Sequence, residues 1–298
     1  MRISIERAVG APIISARTQP GGFSPGLAVR ALCADGGRVF IKAVSARVNP
    51  DSHRYHQREA CVLAALDPVI TARQLPIPRL RGTCTCGPWT ALIIEDINGR
   101  QPALPWQPAD IDRVLATLDE LAEALTPAPI AVPDITSLYA GAFTGWRTLA
   151  RQPPASRLDP WTRAHLGQLA ELEETWAAHA AGHSLLHTDL RSDNILLTSD
   201  CVMVVDWPHA CRGAALVDHV LVAASIASHG GPSPHQVLRM SRAGRKASRA
   251  PVTAIVCAAA GYYTERALRP PPPGLPAARA HQAAQGRAAR QWLAQLLC

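Results

Sequence analysis

Apolar and polar positions alternate in short segments along the first hundred residues of the chain. Alternation with a period of two predicts strands that bury one face. Two glycine-containing turn sequences, at 35–37 and 86–88, join neighbouring segments. The predicted strands are 13–17, 27–33, 38–44, 80–85 and 89–95, and apolar residues follow a helical spacing at 53–66. This part of the chain is therefore expected to form a small antiparallel sheet with one helix.

Beyond residue 100 the apolar positions recur every three to four residues, as on the buried face of a helix. The predicted helices are 108–125, 160–181, 214–228, 234–242, 252–268 and 276–297. The segment 96–100 is the expected break between the two parts of the chain. We therefore predict an α+β fold with two lobes, a small antiparallel β-sheet lobe at 1–96 and a larger, mainly helical lobe at 97–298.

The composition narrows the class of protein. Of the 298 residues, 48% are hydrophobic and 18% are charged, which is typical of a packed globular protein. A membrane span needs a run of about 18 apolar residues, and the sequence has none, so we expect no membrane partner. No secretory leader is recognised at 1–10, and we therefore expect a cytoplasmic location. The eight cysteines are expected to be reduced and buried. No zinc, helix-turn-helix or aromatic-rich pattern favours a nucleic-acid partner.

The charged residues are unevenly distributed along the chain. The net charge is +7, and residues 220–298 contain ten Arg or Lys residues but a single acid, Glu265. A surface this basic disfavours strongly cationic ligands and tolerates neutral or anionic ones, unless it is only a solvated helix face. Lys42 and Lys246 are the only lysines among thirty basic residues. A lysine retained where arginine is otherwise used suggests a site that needs a compact ammonium group.

The segment 187–206, HTDLRSDNILLTSDCVMVVD, contains the pattern H-x-D-x-x-x-x-N, followed by an apolar hairpin and a second Asp. Phosphoryl-transfer enzymes use such a set to deprotonate a hydroxyl and to hold magnesium around ATP. Asp189 is the candidate catalytic base, and Asn194 and Asp206 are the candidate Mg²⁺ ligands. Arg191 would either neutralise charge on the transferring phosphoryl group or face solvent.

Two residues outside the main pattern are expected to support this loop. His187, at its start, is expected to orient the loop rather than to take part in chemistry. Asp218, at the start of the following helix, is expected to brace the loop without touching ligand. Both expectations concern the placing of Asp189.

The first lobe supplies candidate nucleotide-binding residues. Lys42 lies on the third predicted strand, where a kinase-like lobe places the lysine that binds the α- and β-phosphates, and Glu59 on the next helix is expected to pair with it. Backbone groups at Glu95 and Ile97, near the predicted lobe junction, are candidates for hydrogen bonds to adenine. The glycine-containing loop 21–26 could cover the phosphates or form a plain hairpin turn. Its candidate residues are Gly22 and Ser24.

With these residues in place, the chain resembles the aminoglycoside phosphotransferase and choline kinase-like family, from VFIK through HTDLRSDN and VVDW to the helix that begins near Asp218. The resemblance implies a two-lobed protein-kinase-like fold, ATP or GTP as donor, Mg²⁺, and a small-molecule hydroxyl as acceptor. Trp207 and Pro208 stand where protein kinases have glycine, as in many small-molecule members. The basic C-terminal part favours a neutral or anionic acceptor, such as a sugar or a nucleoside-type antibiotic, over a polycationic aminoglycoside.

Several other functions remain open at this point. A protein kinase is disfavoured because only 12 positions separate Asp206 from Asp218, which leaves no room for a long activation loop. A nucleotide-binding scaffold without activity would be expected to lack the base or a metal ligand, and all are present. A metabolic sugar, choline or homoserine kinase and a resistance or self-protection enzyme are both compatible with the family. The sequence does not determine the acceptor, the preference for ATP or GTP, or whether the protein is a monomer or a homodimer.

Overall fold

The computed structural model describes residues 1–19, 26–152, 157–272 and 275–298. The strands in these ranges are β1 (Ile13–Thr18), β2 (Leu27–Cys33), β3 (Arg38–Ser45), β4 (Leu80–Cys86), β5 (Trp89–Glu95), β6 (Ser184–Leu186), β7 (Ile195–Leu197), β8 (Val202–Val204) and β9 (Cys211–Gly213). The α-helices are α1 (Arg2–Val9), α2 (Pro50–Arg73), α3 (Pro108–Ala124), α4 (Ile135–Leu138), α5 (Gly145–Arg151), α6 (Pro160–Glu173), α7 (Trp176–Ala180), α8 (Leu216–Ser228), α9 (Pro234–Met240), α10 (Arg242–Lys246), α11 (Arg249–Ala267) and α12 (Ala278–Leu297). A short 3₁₀ turn spans Ser192–Asn194.

The chain divides into two compact units. The first comprises Met1–Gln101 and Asp193–Ala210, and the second comprises Pro102–Ser192 and Cys211–Cys298. The predicted lobe boundary at 96/97 remains a prediction. The segment 193–210 belongs to the first unit because Leu197 exchanges backbone hydrogen bonds with Arg100 and the Val204 N–H donates to the Pro76 carbonyl.

The first unit is built on a five-stranded antiparallel sheet with the strand order β1-β2-β3-β5-β4. Alternate residues of β3, including Ile41 and Ala43, are buried in a core that also contains Ile5 of α1. Because side chains alternate between the two faces of a strand, Lys42 projects to the opposite face, against which α2 packs. The five predicted strands and the helix at 53–66 are confirmed, whereas α1 was not predicted.

The second unit is mainly helical and centred on α11, whose residues from Val252 to Gly261 are buried. Helix α11 packs against α5, α6, α7, α8 and α12. The backbones of α11 and α5 approach closely, because a Cβ atom on Gly145 would collide with the Gly261 carbonyl. A buried carboxylate, Glu173, accepts hydrogen bonds from the backbone N–H groups of Trp146 and Arg147 at the start of α5, at 2.9 and 3.1 Å.

Some predicted elements of this unit differ in the structure. The predicted helix 160–181 is interrupted between α6 and α7, where the Thr175 hydroxyl donates to the Leu172 carbonyl. The predicted helix 234–242 ends at Met240, because Ser241 caps a separate helix, α10, by accepting the Gly244 N–H. The β6–β9 pair and the short helices α4 and α5 were not predicted.

All eight cysteines are free thiols. Three are buried and four are exposed, so the expectation that they are generally buried was wrong. Within the described part of the chain, no helix combines the length and apolarity that crossing a membrane requires.

Candidate active site

The ammonium group of Lys42 lies between two carboxylates in the first unit. Its Nζ atom is 2.8 and 2.9 Å from the two oxygens of Glu59 and 2.6 Å from Oδ1 of Asp206. These residues come from β3, from α2 and from the segment after β8, and Lys42 and Asp206 are 164 positions apart in the sequence. The expected Lys42–Glu59 pair is therefore present, with a third partner that was not predicted for it.

Burial makes this charge cluster electrostatically strong. The Glu59 side chain is 2% exposed and that of Lys42 is 18% exposed, while Asp206 is 35% exposed. Burial alone would lower the pKa of Lys42, but the negative charges of Asp206 and Glu59 outweigh burial and raise it. Burial raises the pKa of Glu59, and the Lys42 ammonium opposes that rise. With both carboxylates ionised, these three side chains by themselves carry a formal charge of −1.

Asn194 and Asp206 lie on either side of the β7–β8 hairpin. Ile195 pairs with Val204 in this hairpin, and the Val205 N–H donates to the Asn194 carbonyl at 3.0 Å. This hydrogen bond holds the two ends of the hairpin together. Asp206 has φ +71°, in the left-handed region that non-glycine residues seldom adopt. A strained conformation of this kind persists where the surrounding structure enforces it, and it is frequent at functional sites.

The donor chemistry of this hairpin fits a magnesium ion. Amide and carboxylate oxygens, as on Asn194 and Asp206, are ligands that Mg²⁺ accepts, and Mg²⁺ usually completes its shell with water and phosphate oxygens. Among the described residues, no group of three or more His, Cys, Asp or Glu side chains forms a metal site.

The loop that carries Asp189 belongs to the second unit. Both oxygens of the half-buried Asp218 carboxylate accept backbone hydrogen bonds from this loop, from the His187 N–H at 2.7 Å and the Thr188 N–H at 2.8 Å. His187 Nδ1 lies 3.2 Å from the backbone N of Asp189. The expectation that Asp218 braces the loop is confirmed. Thr188 has φ +63°, which is strained for a β-branched residue and is enforced by these contacts.

Arg191 lies beside the candidate base rather than in solvent. Its Nη1 atom is 3.0 Å from Oδ1 of Asp189, and its side chain is mostly buried. The alternative of a solvent-facing Arg191 is therefore wrong for the conformation in this structure. This ion pair places a guanidinium group directly beside the candidate base.

The segment after β5 is fixed by the buried carboxylate of Asp96, whose pairing with two arginines was not predicted. Asp96 is 1% exposed and lies 2.6 Å from Arg30 Nε on β2 and 2.9 Å from Arg38 Nε on β3. Arg30 also donates to the Ile97 carbonyl at 2.5 Å, and the Glu95 N–H donates to the Arg79 carbonyl at 2.9 Å. These backbone groups of the predicted adenine-binding residues thus have protein partners. The only available signal was an acid at a lobe junction.

Two predicted residues, Gly22 and Ser24, lie outside the described residues, so the structure does not bear on them. Two half-buried tyrosines near Asp189 were not predicted. The Tyr139 hydroxyl lies 2.8 Å from Oγ1 of Thr188, and the pKa of Tyr263 is raised by burial and then by the charge of Asp189. No sequence pattern marks these two tyrosines as neighbours of the Asp189 loop.

Comparisons with known proteins identify a family and a fold for the chain. The model of a family described as the phosphotransferase enzyme family matches residues 34–253. A search of curated proteins finds no match. Among solved structures, a putative fructosamine-3-kinase from Thermobifida fusca YX-ER1 is 17% identical with a TM-score of 0.60, covering 98% of each chain. The macrolide 2'-phosphotransferase MphH from Brachybacterium faecium is 20% identical with a TM-score of 0.56, covering 96% of each chain.

A choline/ethanolamine kinase family protein from Mesorhizobium loti has a similar fold, at 15% identity and a TM-score of 0.58, covering 95% of this chain and 91% of that chain. At these identities the similarity concerns the fold. It confirms the predicted class, an α+β protein-kinase-like fold with a sheet-containing unit and a mainly helical one.

Proposed function

The chain belongs to the phosphotransferase enzyme family, and we propose that it transfers the γ-phosphoryl group of ATP, or of GTP, to a hydroxyl group of a small molecule. The observation that carries the proposal is the position of the Lys42 ammonium between the carboxylates of Glu59 and Asp206. A buried lysine held in this way is pre-organised to bind phosphate oxygens, because its side chain is already ordered and charged.

In this proposal the first unit binds the nucleotide. Glu59 fixes the Lys42 ammonium against the α- and β-phosphates, and Asn194 and Asp206 hold Mg²⁺. When bound, Mg²⁺ supplies positive charge to the phosphates. The 2.6 Å contact between Lys42 and Asp206 supports this arrangement, because it places the proposed phosphate-binding ammonium next to a proposed metal ligand. The segment around Glu95 and Ile97, fixed by Asp96, is the proposed neighbour of the adenine ring.

Asp189 in the second unit is the proposed catalytic base. Its carboxylate accepts the proton of the acceptor hydroxyl as that oxygen attacks phosphorus. Arg191 pairs with Asp189 and, in this proposal, neutralises charge on the transferring phosphoryl group. Asp218 and His187 position the loop through backbone hydrogen bonds and take no part in the chemistry.

The proposed acceptor is neutral or anionic. Ten basic residues and a single acid in 220–298 disfavour a polycation. Proteins of similar fold are described as fructosamine, macrolide, amicoumacin and choline/ethanolamine kinases or phosphotransferases, so an antibiotic or other natural product is a reasonable acceptor class. Resistance or self-protection in the cytoplasm is the corresponding biological role. A metabolic kinase acting on a sugar, choline or homoserine is the alternative.

The proposal can be tested with the purified chain, Mg²⁺ and either ATP or GTP. ADP or GDP release would be followed over a panel of macrolides, nucleoside antibiotics, aminoglycosides, fructosamines, sugars, choline and homoserine. We expect turnover with at least one neutral or anionic compound. Asp189→Asn should lower that turnover by about 10²–10⁴-fold while nucleotide binding is retained. Asp200→Asn, which changes an exposed carboxylate in the β7–β8 turn, is the matched control and should have no effect.

Three results would contradict parts of this proposal. Turnover near the wild-type value in Asp189→Asn would refute its role as base. Failure to bind a nucleotide with Mg²⁺ would refute the role of the Lys42 cluster. Tight nucleotide binding without turnover over the whole panel would favour a nucleotide-binding scaffold.

A further inference from the structure

A buried histidine near the start of α8 contacts oxygen atoms on two sides. His219 is 1% exposed, and its Nε2 atom lies 3.2 Å from Oδ1 of Asp119 on α3. Its Nδ1 atom lies 3.1 Å from the carbonyl oxygen of Ala215, one turn earlier in the chain. His219 and Asp119 are 100 positions apart in the sequence. The ring therefore connects two helices that only the fold brings together.

The Asp119 carboxylate is held in place by α10 as well. It is buried, and it accepts the backbone N–H groups of Arg242 at 2.7 Å and of Ala243 at 3.2 Å, at the start of α10. Nε of Arg242 lies 3.7 Å from Oδ2 of the same carboxylate. Asp119 thus joins α3 to α10 through backbone donors and to α8 through His219. Because donors from α10 hold both of its oxygens, Asp119 offers His219 a fixed point.

The residue before His219 holds the catalytic loop. Both oxygens of Asp218 accept backbone N–H groups of that loop, from His187 and from Thr188. Asp218 and His219 lie in the first turn of α8, and successive side chains of an α-helix point about 100° apart around its axis. One helical turn therefore makes two polar contacts in different directions, to α3 through His219 and to the catalytic loop through Asp218.

The remainder of α8 is packed mainly through apolar side chains. Those that are buried cover more than half of the helix circumference: Val217, Val220, Val222, Ala223, Ala224 and Ile226. Apolar packing is non-directional, so a helix that is apolar on most sides has a weak preference for one rotation about its axis. A hydrogen bond depends on both distance and angle. The contact of His219 with Asp119 therefore sets the rotation of the first turn more sharply than packing does.

We propose that His219 is a positioning residue for Asp189, the proposed base. Its contact with Asp119 fixes the first turn of α8, and Asp218 in that turn holds the loop that carries Asp189. His219 itself takes no part in the chemistry. This inference deepens the proposed function and rests on it for its kinetic consequence, because a displacement of about 1 Å can lower turnover about 10²-fold.

Two amide substitutions at His219 separate its two contacts. His219→Asn places an amide near the position of Nδ1, from which it reaches Ala215 but not Asp119. His219→Gln is one methylene longer and places an amide N–H near the position of Nε2, within reach of Asp119. His229→Asn is the matched control, because Nδ1 of His229, just after the other end of α8, also contacts a carbonyl one turn earlier, that of Ser225 at 2.9 Å.

Amide hydrogen exchange, measured on the full chain by NMR, reports on the loop directly and needs no substrate. The N–H groups of His187 and Thr188 should exchange about tenfold faster in His219→Asn, because they lose a well-placed acceptor. Asp119→Ala removes the same contact from the α3 side and should have the same effect on these two groups. Their exchange in His219→Gln and in His229→Asn should stay near the wild-type rate.

Kinetics and a reference amide separate positioning from a purely stabilising role. With an acceptor that the wild type phosphorylates, His219→Asn should lower kcat about 10–100-fold at unchanged nucleotide KM, and His219→Gln should retain most of the activity. A purely stabilising role would instead speed exchange in the buried middle of α11, at Ala258 for example, and leave kcat and the His187 and Thr188 amides unchanged.

Exchange of the His187 and Thr188 amides at the wild-type rate in both His219→Asn and Asp119→Ala would overturn the inference. Equal losses in His219→Asn and His219→Gln, or a loss in His229→Asn, would also overturn it. A wild-type chain that phosphorylates no acceptor contradicts the proposed function, and the exchange rates still decide the role of His219. Normal turnover in His219→Asn contradicts this inference and not the proposed function.

Discussion

Replacing Lys42 with methionine removes the ammonium group that separates the carboxylates of Glu59 and Asp206. Methionine keeps the length and flexibility of the side chain, so the packing changes little. Removing one partner of a buried ion pair costs about 3–5 kcal/mol, because the remaining charge stays buried without compensation. Most of this cost should come from Glu59, because its side chain is 2% exposed and its charge stays buried. Asp206 contributes less, because it is 35% exposed and water partly screens its charge.

The loss of stability in Lys42→Met should depend on pH. Burial raises the pKa of Glu59, and without Lys42 the hydrogen bond from the Trp207 backbone is what remains to oppose that rise. A carboxyl whose folded pKa exceeds its unfolded value weakens the fold once the pH exceeds the unfolded value, and the cost grows up to the folded pKa. In the wild type, Lys42 has a raised pKa and its stabilising effect is fully present below its unfolded pKa of about 10.4. The variant should therefore be most destabilised near pH 8 and recover as the pH falls toward 5.

Thermal unfolding followed by circular dichroism, in the presence of EDTA, measures this effect. A loss of 3–5 kcal/mol corresponds to a decrease in Tm of roughly 6–20 °C at pH 8. The double variant Lys42→Met with Glu59→Gln is the control, because it removes both buried charges of the pair and should regain part of the lost stability. A decrease below 2 °C, or one of equal size at pH 5 and pH 8, would show that the cluster is not the electrostatic unit described here.

Three further substitutions test the second unit, each measured by thermal unfolding. Gly145→Ala should destabilise this unit by about 1–3 kcal/mol or more, because the new Cβ atom collides with the Gly261 backbone. Gly141→Ala is the control and should be nearly neutral, because its Cβ atom meets open space. Equal effects of the two substitutions would refute the close approach. Glu173→Ala should cost about 3–5 kcal/mol by leaving buried donors unpaired, against less than about 0.5 for the exposed Glu174→Ala. Asp218→Asn should cost about 1–3 kcal/mol and lower turnover at unchanged nucleotide affinity, and unaltered turnover would contradict its role in positioning the loop.

Local sequence patterns predicted much of the fold and part of the candidate site. The strand alternation placed Lys42 on β3, and the helical spacing placed Glu59 on α2, so their pairing could be predicted from the sequence. The spacing of the loop motif likewise identified Asp189, Asn194 and Asp206 as a set. Their roles as base and metal ligands remain predictions. The pairing of Arg191 with Asp189 could not be predicted, because a guanidinium two residues away can point in several directions.

Periodicity, turn glycines and one loop motif were sufficient to determine the fold class, the order of most elements and the type of chemistry to look for. These features are local, because they depend on the backbone geometry of neighbouring residues. Only the tertiary structure decided which distant side chains meet: Asp206 with Lys42, and Asp96 with two arginines. Contacts between distant segments depend on how whole helices and strands pack, and no short stretch of sequence contains that information.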